Sequence, residues 1–492
     1  MRNILEIMRT KSIHPEWALK HKKPGTELRL IKGRYYLYEV SSKWNKEKKR
    51  AQKITGKILG RITQDKGFTP SGERARAAVQ VKELLVKSSG VGSFIELVIN
   101  DVLPALKRHF GREAESIFCA SLMRLTHQSP LKNMELHFKQ DFLSETFPDV
   151  SLSDKKMTSL LRDIGKDREK INAFFKDFSK PGKHILMDMT AIHSKSKEMS
   201  LNHPGYNSSG NFDPQANLLL LFSQTLHEPV YYRLLPGNIR DVKSVKLSLK
   251  ESGIKDAVFI ADKGFYSANN IIELENAELH YIIPLKRNHT LIDYKPFHKK
   301  GKQGLTHYFK YQERYIFCSV SKTMDGKMLY TFLDDRLRLE EEQSYLTRID
   351  IQKEDKLSIE EFHKIAHTFG TFTILTNLAE KTPLEIYQMY KSRMEVEMAF
   401  DAFKNTLQAD RTYMQNDQSL EGWMFINYLC LLLYWRILKL LMSKKLLSKI
   451  SIKDLLIHLS YIKKIRINGE WYQAEITNRT KTLFNKLGYA IT

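Results

Sequence analysis

The chain has 492 residues, 42% of them hydrophobic, which is enough for at least one large buried core and for roughly two to four structural units. Its cysteines, Cys119, Cys318 and Cys430, are far apart and form no CxxC pair, so the sequence indicates neither a disulfide framework nor a zinc knuckle. The formal net charge of +23 lies mostly at the two ends, where residues 1–90 hold 22 Lys and Arg against 8 Asp and Glu, and residues 443–492 hold 10 against 3.

The N-terminal region alternates apolar and polar side chains over residues 28–40, which predicts a β-hairpin around Lys32 and Gly33. A basic segment that mixes Trp44 with lysines follows from Lys43. Positive charge of this kind suits a phosphate polymer, because each neutralised phosphate releases condensed counterions. We therefore predict a basic DNA-binding module over residues 1–90. A solvated cationic loop is the alternative for the segment after Lys43.

Residues 91–180 show apolar spacings of three and four in SFIELVINDVLPAL, ESIFCASLMRL and INAFFKDF, which predict helices. We expect them to form a helical linker or a further DNA-binding region. The chain begins with MRNILEIMRTKS, which has no apolar stretch long enough for a secretory signal. We expect a cytoplasmic protein.

Residues 181–289 change to short β-type runs, which predict strands at 184–192, 217–225 and 230–237. A helix with Asp241 as its N-cap, a strand ending at Asp262, a helix at about 268–277 and a strand at 281–287 follow. Antiparallel strands followed by alternating strands and helices predict the first part of a ribonuclease H-like α/β core.

Residues 290–370 interrupt this core, and the hairpin signal at Asp325-Gly326 predicts a β-rich insertion. The second part of the core, residues 371–440, contains a strand at 371–377 and a long helix at 383–407 that opens on Thr382-Pro383. The apolar segment 423–442 is interrupted by Asn427, Arg436 and Lys439, which favours a buried helix over a membrane span. Residues 441–492 are expected to form a basic, helical C-terminal tail.

Two acids follow apolar runs at strand ends, Asp188 in ILMDMT and Asp262 in VFIADKGF. A lone acid in such a place is more often a helix cap or a turn former than a ligand. Because a carboxylate is costly to bury, two of them on strands expected to be neighbours indicate a functional site. Carboxylate oxygens are ligands that Mg²⁺ prefers.

A third ligand is expected on the helix at 383–407. At 100° per residue, four side chains share a stripe about 60° wide; they are Tyr390, Arg393, Glu397 and Lys404. Glu395 faces the other side, and Asp401 lies near the stripe. Helical phase alone leaves Glu397 and Asp401 open as the ligand. A simple intrahelical pair of Arg393 with Glu397 is a further alternative.

These four residues reproduce the pattern Y-(2)-R-(3)-E-(6)-K, which resembles the signature of the insertion-sequence transposases of the group conventionally numbered four. The resemblance covers residues 181–440 and includes DMTAIHS, PGNIRDVKSV and ADKGFYS. It implies that Asp188, Asp262 and Glu397 are a DDE triad that is catalytic and binds metal. It also implies that the tyrosine, arginine and lysine of the signature bind DNA. Trp423 departs from the family, where a smaller or polar residue is expected.

The resemblance implies a DNA transposase that binds the ends of an insertion element and catalyses strand cleavage and strand transfer. The implied reaction is cut-and-paste, and hairpin ends are one possible intermediate. Such phosphodiester transfer suits two Mg²⁺ ions, for which Mn²⁺ substitutes, because one activates the nucleophile while the other stabilises the leaving oxygen. Synapsis of two transposon ends implies a homodimer on DNA. The implied location is the cytoplasm, at the bacterial nucleoid, without a membrane.

Three alternatives come from other classes. A DNA-binding protein derived from a transposase would keep the fold and the basic ends without catalysis. A ribonuclease H-like nuclease would cleave strands without joining them, and no residue separates it from a transposase. A metal-dependent phosphatase fits the acids but not the charged ends.

Overall fold

The computed structural model describes residues 14–45, 48–71, 83–179, 185–205, 213–238, 242–254, 258–298, 302–351 and 358–489. It divides into two compact units. The smaller unit consists of Met1–Leu84 with Ile467–Glu470, and the larger unit of the remaining residues. The predicted N-cap Asp241 lies outside the described residues.

The smaller unit is a four-stranded antiparallel sheet, paired in the order β1-β2-β3-β4, with one short helix. Its elements are α1 (Glu16–Leu19), β1 (Thr26–Ile31), β2 (Arg34–Asn45), β3 (Arg50–Thr63) and β4 (Gly67–Pro70). The unit has its own small core, which consists of Ala18, Leu28, Leu37 and Ile62.

The predicted hairpin around Lys32 and Gly33 is confirmed. Both residues have positive φ, 45° and 74°, as a tight two-residue turn between twisted strands requires. The alternative of a cationic loop after Lys43 is wrong in its geometry, because most of that segment lies in β2 and β3. Residues of this segment pair across the two strands, and its charge alone does not predict such pairing.

The larger unit begins with the predicted helical region. Its elements are β5 (Leu84–Ser88), α2 (Gly90–Val98), α3 (Val102–Phe110), α4 (Ala114–His127), α5 (Met134–Gln140), α6 (Leu143–Thr146), α7 (Asp154–Lys166) and α8 (Arg168–Phe178). The apolar faces of these helices share one core with the sheet that follows, in which Phe174 and Phe175 are fully buried. The helical prediction for this region is therefore confirmed at the level of its elements.

The central sheet and the helices between its strands follow in chain order. They are β6 (Ile185–Ser194), β7 (His203–Pro204), β8 (Pro214–Ser223), β9 (Glu228–Pro236), α9 (Val242–Ser252), β10 (Val258–Ile260), α10 (Ala268–Asn276), β11 (His280–Leu285), α11 (Lys295–His298), β12 (His307–Tyr311), β13 (Arg314–Lys322), β14 (Met328–Asp334), α12 (Asp335–Ile351), α13 (Ile359–Ile365) and β15 (Thr371–Thr376).

The middle of this sheet has the strand order β9-β8-β6-β10-β11. The strands β6, β8 and β9 are antiparallel neighbours, whereas β10 pairs in parallel with both β6 and β11. Three antiparallel strands followed by parallel strands with intervening helices are the predicted mixed α/β arrangement of a ribonuclease H-like core.

The β-rich description of residues 290–370 is wrong for the described residues, because α12 alone is longer than any two of the three strands there. The hairpin at Asp325-Gly326 is confirmed, and Gly326 has a φ of 89°. Strand β14 pairs with β15, so β12, β13 and β14 extend the central sheet. The helix α12 is mostly exposed, and its missing apolar stripe explains why periodicity did not reveal it.

The chain ends with α14 (Pro383–Lys391), α15 (Arg393–Asp401), β16 (Arg411–Thr412), α16 (Asp417–Ser443), α17 (Ile452–Ser460), β17 (Lys463–Ile467), β18 (Glu470–Gln473) and α18 (Asn478–Leu487). The predicted single helix at 383–407 is wrong in its continuity. The hydroxyl of Ser392 donates to the Met389 carbonyl at 2.6 Å, a back-bond that competes with helical bonding, and a π turn follows at Ala402–Thr406.

The helix α16 contains the apolar segment and is long and apolar enough to cross a membrane by length and composition. However, 78% of its most apolar stretch is buried inside the protein, as expected for a core helix. Its polar residues have partners: Arg436 binds Asp101 at 2.6 Å, and the Lys439 ammonium donates to a backbone carbonyl. This agrees with the prediction of a buried helix.

Candidate active site

The two acids are adjacent because of the register between β6 and β10. The predicted strand-end position is wrong for Asp188, which is the fourth residue of β6, whereas Asp262 does follow the end of β10. In this parallel pair Ile260 is opposite Leu186. Asp188 and Asp262 each follow two residues later, so both carboxylates emerge at the same edge of the sheet. The backbone N–H of Met189 donates to Asp188 at 2.9 Å, and that of Lys263 donates to Asp262 at 2.7 Å.

Arg393, the first residue of α15, connects these acids to the helix. Its Nη2 lies 3.4 Å from Oδ2 of Asp188, and its Nη1 lies 3.4 Å from Oδ1 of Asp262. The same Nη1 lies 3.3 Å from Oε1 of Glu397. One guanidinium therefore contacts three carboxylates from three separate segments of the chain.

Burial and charge oppose each other in this cluster. Burial raises the pKa of Asp188, while Arg393 and the Met189 N–H lower it and Asp262 adds to the rise. Burial also lowers the pKa of Arg393, but the three carboxylates outweigh this effect, and the pKa of Arg393 is raised. Asp188 is the protected member, with 24% of its side chain exposed against 53% for Asp262 and 53% for Glu397.

The structure places the other acids of the helix elsewhere. Asp401 is exposed and accepts a hydrogen bond from the Asn405 amide at 2.6 Å. Glu395 binds the His227 ring at 3.0 Å, on the opposite side of the helix, as its phase predicted. The predicted intrahelical pair of Arg393 with Glu397 is present. The same arginine also contacts the two aspartates, so this pair is part of the cluster.

A cleft of about 390 Å³ brings four of the six predicted site residues together, Asp188, Asp262, Arg393 and Lys404. Lys404 lies in the π turn, where the Leu407 N–H donates to the carbonyl of Ala402 at 2.8 Å. A π turn changes the phase of the residues that follow, and such turns are frequent at functional sites.

Tyr390 does not line this cleft. Its ring packs on Phe372 of β15, with ring centroids 5.7 Å apart. Burial raises the pKa of its hydroxyl, partly offset by the charge of Arg393. Tyr390 thus lies next to the arginine and supports it from the side of the sheet.

The chemistry of the donor set can be compared with what a metal requires. The three side chains on Arg393 offer oxygen donors only, as Mg²⁺ and other hard cations prefer. Among the described residues, no three His, Cys, Asp or Glu side chains are arranged to hold a metal ion. The cation that the carboxylates share in this arrangement is the Arg393 guanidinium. The residue types fit a divalent ion, provided that the guanidinium gives up some of these contacts.

Sequence reasoning missed a buried network behind the cleft. Arg124 of α4 is 4% exposed, and its guanidinium donates to the carbonyls of Leu407 and Gln408, at the end of the π turn. It lies over the ring of Trp423, 4.9 Å from the centroid, and contacts Asn427. A charged residue within the apolar run SLMRL was the available signal. Trp423, the departure from the family pattern, is thus the platform for this arginine.

The family described as "Transposase DDE domain" matches residues 179–433. A search of the curated proteins finds no match. Among solved structures, the chain is similar to the piggyBac transposase in a cryo-EM structure of its synaptic complex with hairpin DNA, with 11% identity, 74% of this chain and 78% of that chain covered, and a TM-score of 0.35. It is also similar to the Mos1 transposase in a paired-end complex with the left transposon end, with 13% identity, 31% and 53% covered, and a TM-score of 0.14.

The family match begins before β6 and ends within α16, so it includes both aspartates, the glutamate helix and the strands that place them. It spans just over half of the 492 residues. The chain therefore belongs to the family of transposases with a DDE domain, which are DNA-cleaving enzymes.

Proposed function

We propose that this chain is an insertion-sequence transposase of the group conventionally numbered four, which binds the ends of its element and performs metal-dependent strand cleavage and strand transfer. The observation that carries the proposal is the contact of one guanidinium with Asp188, Asp262 and Glu397. Gathering three carboxylates at one place costs like-charge repulsion, which a purely structural role does not require.

Asp188, Asp262 and Glu397 are the residues that would hold the metal, proposed as two Mg²⁺ ions. Transposases of this family generally use divalent metal ions. When bound, such ions activate the attacking water or 3′-hydroxyl and stabilise the departing oxygen. Glu397 is the third member of the triad in this proposal because it contacts Arg393, whereas Asp401 binds Asn405.

Arg393 and Lys404 act on the DNA. A guanidinium can bind a phosphate through two hydrogen bonds, and an ammonium supplies a mobile positive charge. Both side chains line the cleft that contains the two aspartates, and Lys404 makes no ion pair among the described residues. They position the scissile phosphate beside the carboxylates, while Tyr390 restrains the arginine through its packing on Phe372.

The remaining parts of the proposal concern organisation. Residues 1–90 bind DNA, 91–180 link this module to the core, and 290–370 shape the active site around the transposon end. Residues 441–492 are not the predicted helical tail, because they include the strands β17 and β18 and contribute Leu455 and Phe484 to the core. Two copies act together on two ends, by cut-and-paste and through hairpin ends. The protein works in the cytoplasm, at the bacterial nucleoid.

The test is Mg²⁺-dependent cleavage and strand transfer on a DNA fragment that carries the element's own ends. We expect Asp188→Ala, Asp262→Ala and Glu397→Ala to lose both reactions and to retain DNA binding. Asp401→Ala is the matched control, because it removes an acid from the same helix outside the cluster. We expect it to remain active.

Each other outcome has a defined meaning. Cleavage without strand transfer in the unmodified protein would identify a nuclease of the same fold. DNA binding without either reaction would identify an inactive DNA-binding derivative. Activity in the Glu397 variant with loss in the Asp401 variant would move the third ligand to Asp401.

A further inference from the structure

Strands β2 and β3 continue beyond the sheet of the smaller unit as a two-stranded ribbon. Strand β1 pairs with β2 only as far as Glu39, and β4 pairs with β3 only from Gly60 onward. Beyond these points, the stretch from Val40 to Asn45 pairs with the stretch from Arg50 to Thr55 and with no other strand among the described residues. We refer to the described residues 40–45 and 48–58 as the ribbon.

The ribbon buries almost nothing. Every residue from Ser41 to Trp44 and from Arg50 to Ile58 is exposed. Trp44 is opposite Ala51, which is too small to cover an indole ring, and 62% of Trp44 remains exposed. An isolated pair of strands is only marginally stable in water, and large side chains here gain no packing. The side chains of the ribbon therefore do not stabilise the fold, and we infer that they contact a binding partner.

The charge of the ribbon identifies the chemistry of the partner. Between Val40 and Ile58 the sequence has one acid, Glu47, and seven bases, which are Lys43, Lys46, Lys48, Lys49, Arg50, Lys53 and Lys57. Lys53 is bound by Glu27 of β1 near the base of the ribbon. The other described bases of the ribbon make no ion pair within the part of the chain that the structure describes. A narrow, exposed and strongly positive element suits a polyanion.

The base of the ribbon is built to direct it. The register shifts between Leu37 and Tyr38 and again between Tyr38 and Val40, which are β-bulges. Bulges bend a strand and increase its twist. Gly60 allows this close packing, because a Cβ there would lie 2.4 Å from the Thr69 carbonyl oxygen. The sheet of the smaller unit thus anchors the ribbon at its base.

We propose that the ribbon lies in the major groove of duplex DNA at the element's ends, which deepens the proposed function and rests on it. The paired part from Val40 to Asn45 extends for about 17 Å at a rise of about 3.4 Å per residue. The major groove is about 12 Å wide and about 8.5 Å deep and admits a two-stranded β-ribbon. The ribbon is therefore long enough to reach base edges from a sheet that stays outside the groove.

The register defines which side chains face the bases. Opposite residues share a face, so Lys43, Asn45, Arg50 and Gln52 lie together on one face. The Asn45 amide donates to the Gln52 side-chain oxygen at 3.1 Å, which keeps the two amides next to each other. Amide side chains pair with adenine and arginine pairs with guanine in the major groove. This face reads the sequence, and Lys48 and Lys57 bind phosphates.

The experiment measures binding of the full-length protein to a duplex carrying the element's end and to a scrambled duplex, over a range of salt concentrations. For Asn45→Ala/Gln52→Ala we expect affinity for the end to fall about tenfold or more, with unchanged affinity for the scrambled duplex. For Lys48→Ala/Lys57→Ala we expect equal losses on both duplexes and a salt slope reduced by about two. Lys246→Ala/Lys250→Ala, which removes two exposed bases of α9 outside residues 1–90, is the control and should bind normally.

Methylation of guanine N7 in the end sequence tests the groove, because N7 lies in the major groove. We expect it to block binding of the unmodified protein and to have no further effect on an Arg50→Ala variant, because arginine is the side chain that pairs with guanine. End-specific binding by folded ribbon variants that equals that of the control would overturn the ribbon proposal alone, provided that the unmodified protein still cleaves. Absence of DNA binding and cleavage in the unmodified protein would overturn the proposed function as well.

Discussion

Replacing Arg393 with methionine tests whether its guanidinium holds the place of a metal charge. Arg393→Met keeps a long side chain in the cleft and removes one positive charge from a group of three carboxylates. The formal charge of this group then changes from −2 to −3. We expect Mn²⁺, used as a measurable divalent ion, to bind more tightly to the variant. We also expect cleavage to be lost, because the phosphate loses a ligand.

The magnitude follows from Coulomb's law. Two unit charges about 4 Å apart interact by about 1 kcal/mol in water, so a divalent ion beside the guanidinium is opposed by about 2 kcal/mol. Water-like screening sets the lower limit of this repulsion, because Asp262 and Glu397 are each 53% exposed whereas Arg393 is 14% exposed. A difference of about 2 kcal/mol corresponds to roughly 30-fold in affinity.

The assay is a titration of free Mn²⁺ by electron paramagnetic resonance at pH 7. Arg348→Met is the control, because it removes an exposed arginine that does not line the cleft. The control should bind Mn²⁺ as the unmodified protein does. Equal or weaker Mn²⁺ binding in Arg393→Met would refute the reasoning, since it would show that the arginine does not compete with the metal for these carboxylates.

Three further expectations concern the larger unit and can be checked by urea unfolding. Burial raises the pKa of Asp141 from 3.8 to about 6, so the stability associated with its protonated form is complete below pH 3.8 and is lost as the pH rises through 6. The free energy of unfolding of Asp141→Asn should therefore gain about 3 kcal/mol on that of the unmodified protein between pH 4 and pH 8. Gly165→Ala should destabilise the protein by about 1–3 kcal/mol, because the new Cβ would lie 1.8 Å from the Gln418 carbonyl oxygen. This cost outweighs the better helix propensity of alanine, which is worth about 1 kcal/mol, and an unchanged urea midpoint would contradict the close contact. Arg124→Met should cost about 1–3 kcal/mol of unfolding free energy by removing the donor to the Leu407 carbonyl. Trp423→Phe should cost less, because it keeps an aromatic face and removes an Nε1 that has no hydrogen-bond partner among the described residues.

Much of the central sheet could be predicted from the sequence because local patterns and tertiary structure agree there. The run LLLLF of β8 is buried on both faces, so a continuous apolar run, without alternation, is the expected sequence pattern for this strand. The turns at Gly33 and Gly326 require positive φ, which glycine adopts without strain. By contrast, α12 is held by surface pairs such as Arg336 with Glu340, so apolar periodicity could not reveal it.

The candidate site shows what a helical wheel can and cannot decide. Phase placed Glu397 and Asp401 within 40° of each other, and that calculation assumed one regular helix. The helix is interrupted at Ser392, before Glu397, and passes into a π turn after Asp401. The assumption of one regular helix therefore fails at both ends of α15. What separates the two acids is a tertiary contact, because Arg393 reaches Asp188 on a distant strand.

The same contact changes the meaning of the intrahelical pair. An Arg393–Glu397 pair on an exposed helix would contribute only a few tenths of a kcal/mol. Here the arginine is 14% exposed and is bound by two more carboxylates, which it brings within reach of one another's charge. The pair and the predicted triad are therefore not exclusive alternatives: i,i+4 spacing keeps Glu397 beside Arg393, and the strand register keeps both aspartates beside it.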